Sequence, residues 1–244
     1  MSLAPPPAQD VQDEGEILLI DKPLHWTSFD VIYRVRQWFG IKKVGHAGTL
    51  DPRASGLLIV CTGRQTKRIE SFAGLDKEYV GTFELGIRTP SFDLETEISE
   101  RGDYSGVTLE GLRAAIDGFM GKQLQTPPMF SAAKYKGKPL YKYARKGRTI
   151  EREPKEIEVS EFSVLSFVPP VVEFRISCSK GTYIRSLVND LGNKLGCGAA
   201  LCTLRRTRIG AFSVEDALTI GQLDNMQGER AILKSVSDGY RIPA

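Results

Sequence analysis

The sequence predicts an α+β fold, mixed α/β in content, with a largely antiparallel sheet flanked by helices. Long β segments, above all Ile157–Phe167, Val171–Cys178 and Leu201–Phe212, share the chain with amphipathic helical stretches and lack the regular βαβ rhythm that builds a parallel sheet. The composition, 41% hydrophobic, 26% charged and 9% aromatic over 244 residues, is that of an ordinary folded protein large enough for a core without disulfide or metal staples.

Residues 1–16 hold a proline triplet and four acids, and read as a disordered leader. Ile17–Ile20 is a short apolar strand. Thr27 or Ser28 caps a helix in which Val31, Val35 and Trp38 recur at helical spacing before Gly40. Val44–Gly56 reads as a Gly-rich loop leading into the strand Leu57–Cys61. A helix over Gln65–Phe72, a strand over Tyr79–Gly86 and a helix over Leu109–Met120, capped by Thr108, follow. The strands Ile157–Phe167 and Val171–Cys178 come next. Gly181 and Thr182 then open a helix with Ile184, Leu187, Val188, Leu191 and Leu195 on one face, closed by Gly196. The strand Leu201–Phe212 and a helix begun by Ser213, with Asp216 at the capping-box position, complete a body that ends near residue 220. The remaining 221–244 form a short tail, too small for an independent core.

Several function classes are excluded. No apolar run approaches the roughly 18 residues a membrane span needs, and the N-terminus lacks the basic and apolar regions of a secretory signal, so a cytoplasmic address is expected. Cys61, Cys178, Cys197 and Cys202 then read as reduced thiols. Cys197 and Cys202 are spaced too widely for a zinc knuckle, no second pair stands nearby, and only His25 and His46 could assist, so no metal site is expected. Phosphate-cradling and dinucleotide-binding glycine motifs are missing as well, and no cofactor is expected.

The net charge of +3 hides an asymmetry. From Gly121 to Ile150 the chain carries Lys122, Lys134, Lys136, Lys138, Lys142, Arg145, Lys146 and Arg148 without one acid. Phe130, Tyr135, Tyr141 and Tyr143 are interleaved, and Pro127, Pro128, Gly137, Pro139 and Gly147 argue against one long helix. Glu84–Asp117 is mostly acidic and cancels the charge. A long, partly irregular cationic excursion of this kind is either a solvated loop or one face built for a polyanion.

The stretch Gly45–Gly56 is the most peculiar. Its three glycines let the backbone turn sharply and approach a ligand, while Pro52 holds Asp51 extended at a stiff corner. Taken alone, an Asp before Pro is an ordinary turn former. The wider pattern gives it another meaning. Val44–Leu58, reading VGHAGTLDPRASGLL, resembles the catalytic-loop signature of the TruB family, the tRNA pseudouridine-55 synthases. Further family motifs follow in order: Asp21-Lys22-Pro23 with Thr27-Ser28, Lys77-Glu78-Tyr79, Pro127-Pro128 with Ser131-Ala132, Lys134, Gly137, Leu140-Tyr141, Ala144-Arg145, Ser179 through Arg185, and Leu204-Arg205-Arg206. Together they span residues 17 to about 220.

The resemblance implies a pseudouridine synthase fold over 17–220, with the basic insertion at about 122–152 closing over the T stem-loop of tRNA. It implies a redox-neutral isomerisation: uridine 55 is flipped out, detached at its N1–ribose bond, turned and rejoined through C5, with Asp51 as nucleophile at either C6 of the base or C1′ of the ribose. Arg185 matches the cation that pairs with Asp51, because a guanidinium favours the charged form of a neighbouring carboxylate. Tyr79 matches the tyrosine that stacks on the target base and helps remove the C5 proton. His46 matches the histidine that occupies the vacated space, and Tyr183 and Leu204 match pocket walls. Arg205 contacts RNA or anchors its strand. Lys22 is placed with the substrate-binding residues, and Lys134, Lys142 and Arg145 would neutralise phosphates. The implied protein is a monomer, free of metal and membrane.

This chain departs from the family in two small ways and one large one. His25 stands where members commonly have Gly, and Phe130 replaces a frequent Tyr. The large departure is at the C-terminus, where a full PUA RNA-binding domain does not fit in the residues that remain. Two other readings stay open: a non-catalytic RNA-binding protein on the same scaffold, and a synthase acting on a different structured RNA.

Overall fold

The apolar run Ile17–Ile20 shows why this chain builds a layered sheet: Leu18 and Ile20 face one side, Leu19 the other, and both sides find apolar cover. The computed structural model describes residues 15–225. In chain order the elements are β1 (Ile17–Lys22), α1 (Ser28–Phe39), β2 (Val44–Ala47), β3 (Ala54–Thr62), a 3₁₀ turn (Gly63–Arg68) running into α2 (Ile69–Gly74), β4 (Lys77–Leu85), β5 (Ile87–Arg88) and β6 (Glu100–Arg101). There follow α3 (Leu109–Asp117), β7 (Gly121–Gln125), β8 (Lys134–Tyr135), β9 (Lys138–Pro139), α4 (Tyr141–Ala144), β10 (Lys155–Val168), β11 (Val171–Cys178), α5 (Ile184–Lys194), β12 (Ala199–Ile209), β13 (Phe212–Ser213), a 3₁₀ turn (Val214–Asp216), β14 (Leu218–Thr219) and α6 (Ile220–Asn225). The content is mixed α/β and the sheet mostly antiparallel, as the sequence predicts. Two compact units divide the chain: one takes in residues up to Leu75 and from Arg205 onward, the other Asp76–Leu204. The division falls within β12.

In the first unit β1 pairs antiparallel with β3, from Ile17 opposite Cys61 to Lys22 opposite Gly56. On the other edge of β1, β14 adds in parallel. Burial on both faces explains why β1 and β3 read as continuous apolar runs instead of alternating ones. Val31, Ile32 and Val35 of α1 cover Leu18, Ile20, Leu58 and Val60, while Phe72, Ile209 and Phe212 cover Leu19, Leu57, Ile59 and Cys61. Four details differ from the sequence reading. The helix expected over Gln65–Phe72 is a 3₁₀ turn as far as Arg68 and α-helical over Ile69–Gly74. The Val44–Gly56 loop is strand at both ends. The helix expected from Ser213 is a single 3₁₀ turn, because Ala217 is already extended and feeds β14. Glu16, placed in the leader, exchanges hydrogen bonds with Thr62: its N–H donates to Oγ1 at 2.7 Å and its carbonyl accepts from the Thr62 N–H at 2.8 Å. The rest of the leader and most of the tail lie outside the described residues.

In the second unit β11 pairs antiparallel with β4 and β10, and β10 with β7. β4 alternates strictly and buries Lys77, Tyr79, Gly81, Phe83 and Leu85 on one face. Phe174 packs on Phe83 and Phe162, with ring centroids 5.8 and 6.0 Å apart. The cationic excursion is more ordered than its proline and glycine content suggests. β8 and β9 form a hairpin whose two central residues, Lys136 and Gly137, have φ +47 and +77, the signs of a type I′ turn. α4 follows, and Arg145, Arg148 and Lys136 stand over the rings of Tyr141, Tyr143 and Tyr135.

Candidate active site

In the first unit the structure turns the Gly45–Gly56 stretch into a braced loop. Asp51 is the first residue of a β-turn, its carbonyl accepting the Ala54 N–H at 3.0 Å, with Pro52 at the position where its fixed φ fits. Both neighbours of Asp51 are held. The Ser28 hydroxyl accepts the Leu50 N–H at 2.9 Å and donates to the Leu50 carbonyl at 3.2 Å, and the His25 N–H donates to the Pro52 carbonyl at 2.7 Å. His25 adopts φ +65, a left-handed conformation that glycine takes up without steric cost. Gly48 enters the loop at φ +88 and Gly56 leaves it at φ +104.

Beneath this loop lie two fully buried cations. Lys22 has no exposed surface, and its ammonium donates to the carbonyls of Pro23 at 2.9 Å and Trp26 at 2.7 Å. Burial pushes it down to about 8, against the pull of Asp51. Arg206 is equally buried. His46 is lowered from its ordinary value, first by burial and then by the Arg206 charge. Arg205 makes a forked bond to Asp21, at 3.0 and 2.8 Å, tying β12 to β1.

Four of the other expected residues, Tyr79, Tyr183, Arg185 and Leu204, belong to the second unit. Arg185 faces inward from α5 and is 4% exposed, so it is not a surface helix arginine. Its Nη1 donates to the Ser91 carbonyl and its Nη2 to the Phe130 carbonyl, both at 2.8 Å, and its Nε lies 3.5 Å from the Asp93 carboxylate. Asp93 is itself buried and accepts from Ser91 Oγ at 2.6 Å and from the Glu95 N–H at 2.9 Å. Tyr79 is buried in β4, opposite Ile176. Tyr183 precedes α5, and the buried Gln125 amide grips both its backbone groups, accepting from the N–H at 2.7 Å and donating to the carbonyl at 3.1 Å. Leu204 is the last residue of this unit, half-buried in β12. On the excursion Lys134 and Lys142 are exposed, whereas Arg145 pairs with Glu95 at 3.0 Å.

Sequence reasoning gave no site role to Asp93, Gln125, Ser28 or Arg206. The last two lie inside quoted motifs, which was the available signal. Asp93 and Gln125 act through partners 92 and 58 residues away, a separation no local pattern reports. Among the described residues no group of three His, Cys, Asp or Glu could hold a metal, and no helix is long and apolar enough to cross a membrane.

Comparison with known proteins adds to this geometry. The family model described as TruB family pseudouridylate synthase, N-terminal domain, matches residues 36–184, and that of the tRNA pseudouridylate synthase B C-terminal domain matches 185–236. The protein named tRNA pseudouridine synthase B from Chloroherpeton thalassium is 51% identical over 215 residues, covering 86% of this chain and 89% of that one. Its namesake from Phocaeicola vulgatus is 44% identical over 231 residues, 92% of this chain and 98% of the relative. Among solved structures, the crystal structure of a Cbf5-Nop10-Gar1 complex contains a chain superposing with TM-score 0.70 at 29% identity, over 90% of this chain. This chain spans 57% of that one.

Proposed function

Because the chain belongs to the TruB family of pseudouridylate synthases, we propose that it converts uridine 55 in the T loop of tRNA to pseudouridine, with Asp51 as the nucleophile. It acts as a monomer, and its target base leaves the loop stack to be reached. The Asp51 carboxylate bonds to C6 of the uracil or to C1′ of the ribose while the N1–C1′ bond breaks. The base turns, C5 joins C1′, Asp51 departs, N1 gains a proton and C5 loses one. Atoms and electrons balance without an oxidant or energy source.

The observation that carries this reading is the bracing of Asp51: both flanking residues are hydrogen-bonded into place, so the main chain that presents the carboxylate is held before substrate arrives. Tyr79 stacks on the base and assists loss of the C5 proton. The family resemblance assigns Arg185 as the cation that serves Asp51, and within its own unit Asp93, Ser91 and Phe130 hold that guanidinium. Tyr183 and Leu204 wall the pocket, His46 fills the vacated loop, and the excursion grips phosphates.

The test is tRNA transcript carrying tritium at C5 of its uridines. Native enzyme releases tritium, and Asp51→Asn lowers the rate at least ~10³-fold, as loss of a nucleophile does. Tight tRNA binding with no release would overturn the reading in favour of a binding protein. Release with the new pseudouridine mapped outside position 55 would move the substrate elsewhere.

A further inference from the structure

We infer that Arg206 is a positioning residue for the reaction: its guanidinium staples the two arms of the loop that carries Asp51 and thereby fixes where that carboxylate stands. The inference rests on Asp51 being the nucleophile.

Arg206 is 1% exposed, and its Nε donates to the Leu57 carbonyl at 2.7 Å while its Nη2 donates to the Gly48 carbonyl at 3.1 Å. Those two carbonyls close the loop on either side of Asp51, one before the turn and one after it. The main chain of Arg206 presses on the same place. A Cβ on Gly56 would stand 2.2 Å from the Arg206 carbonyl oxygen and 2.7 Å from its nitrogen, so the loop's exit fits here only as glycine. Entry and exit are thus both fastened to one residue of β12.

A buried guanidinium needs a reason, since an apolar side chain of similar volume fills space without the desolvation cost. The usual reason, a carboxylate partner, does not apply: among the described residues Arg206 forms no ion pair, and both its hydrogen bonds go to main-chain carbonyls. Its charge also lies close enough to Lys22 to oppose protonation there. The structure retains a buried cation where a fork of donors spans two carbonyls, acceptors that cannot bond each other, just beyond the last paired residues of β2 and β3. A fork that rigid favours arginine over lysine.

The experiment uses the full chain and measures two quantities for native enzyme, Arg206→Lys, Arg206→Met and Asp51→Asn: the single-turnover rate of tritium release at saturating tRNA, and tRNA affinity by filter binding. Arg206→Met should lower the rate about 100-fold, the scale of a small misplacement of a reacting group, with affinity unchanged within about threefold. Arg206→Lys, which keeps the charge and reaches one carbonyl, should recover part of that loss. Rates within about threefold of native in both folded variants overturn the inference, as does an affinity that falls in step with the rate. If Arg206→Met does not fold, the lysine variant decides; if neither folds, Arg206 is a residue of the fold and the inference fails. A native rate in Asp51→Asn would instead show that the nucleophile assignment is at fault, whatever the Arg206 variants do.

Discussion

Lys22 carries an unusual burden for a single side chain: it brings a full charge into the interior of the first unit and spends its hydrogen bonds on the Pro23 and Trp26 carbonyls, the turn from which His25 and Ser28 hold the neighbours of Asp51. The sequence places Lys22 among substrate contacts; its ammonium is occupied by the turn. Its folded value of about 8 lies below the ordinary 10.5, so the unfolded chain binds more protons between those values and the fold gains from a rise in pH there. Below about 8 both states are protonated and the burial penalty stands in full. Relative to Lys22→Met, the native protein should therefore gain on the order of 2 kcal/mol between pH 7 and 9.5, read by urea denaturation of both proteins at each pH. A difference independent of pH would show that Lys22 titrates normally. Ser28 and Gln125 illustrate a second residue-scale device: one polar side chain satisfies both main-chain groups of a residue far away in sequence, Leu50 in one case and Tyr183 in the other.

At the scale of elements, α1 was legible because its signals are local. Thr27 caps it, its hydroxyl accepting the Asp30 N–H at 3.0 Å, and the Asp30 carboxylate accepts in return from the Thr27 hydroxyl and from the Thr27 N–H, both at 2.7 Å, which together hold that carboxyl below its ordinary value. Gly40 closes it at φ +65. Thr27→Ala should cost about 1 kcal/mol in urea denaturation, whereas Thr27→Ser should be close to native. Because this helix supplies Ser28, a stable Thr27→Ala variant whose loss shows up only in turnover would mean that the cap matters for the loop more than for the fold. The elements that eluded the sequence are short: β14 has two residues and its pairing with β1 is parallel and non-local, and the hairpin of β8 and β9 hides in a charge-rich stretch whose only local cue is Lys136-Gly137. No periodicity develops over two residues.

At the scale of the whole molecule, the cationic excursion and the acidic segment belong to the same unit, and Arg145 already meets Glu95 before any RNA is present. On the proposed reading, a phosphate that engages Arg145 displaces that carboxylate from an exposed pair worth little on its own. Replacing Lys134, Lys142 and Arg145 together by Ala should weaken tRNA binding and make the log–log salt dependence shallower by about 2, with single-turnover tritium release at saturating tRNA retained. Filter binding across a salt series measures it, and an unchanged slope would remove the excursion from the interface. Amino-acid order alone determined the fold class, the capped helices, the apolar strands and the loop that holds Asp51, because caps, periodicity and glycine–proline corners act over a few residues. Only the tertiary structure decided that Arg185 is held by Asp93, that Gln125 grips Tyr183, that Lys22 is sealed from solvent and that Arg206 closes the loop. Those choices depend on which distant segments meet and on whether a buried charge or polar group finds its partner there, and a linear pattern does not record either.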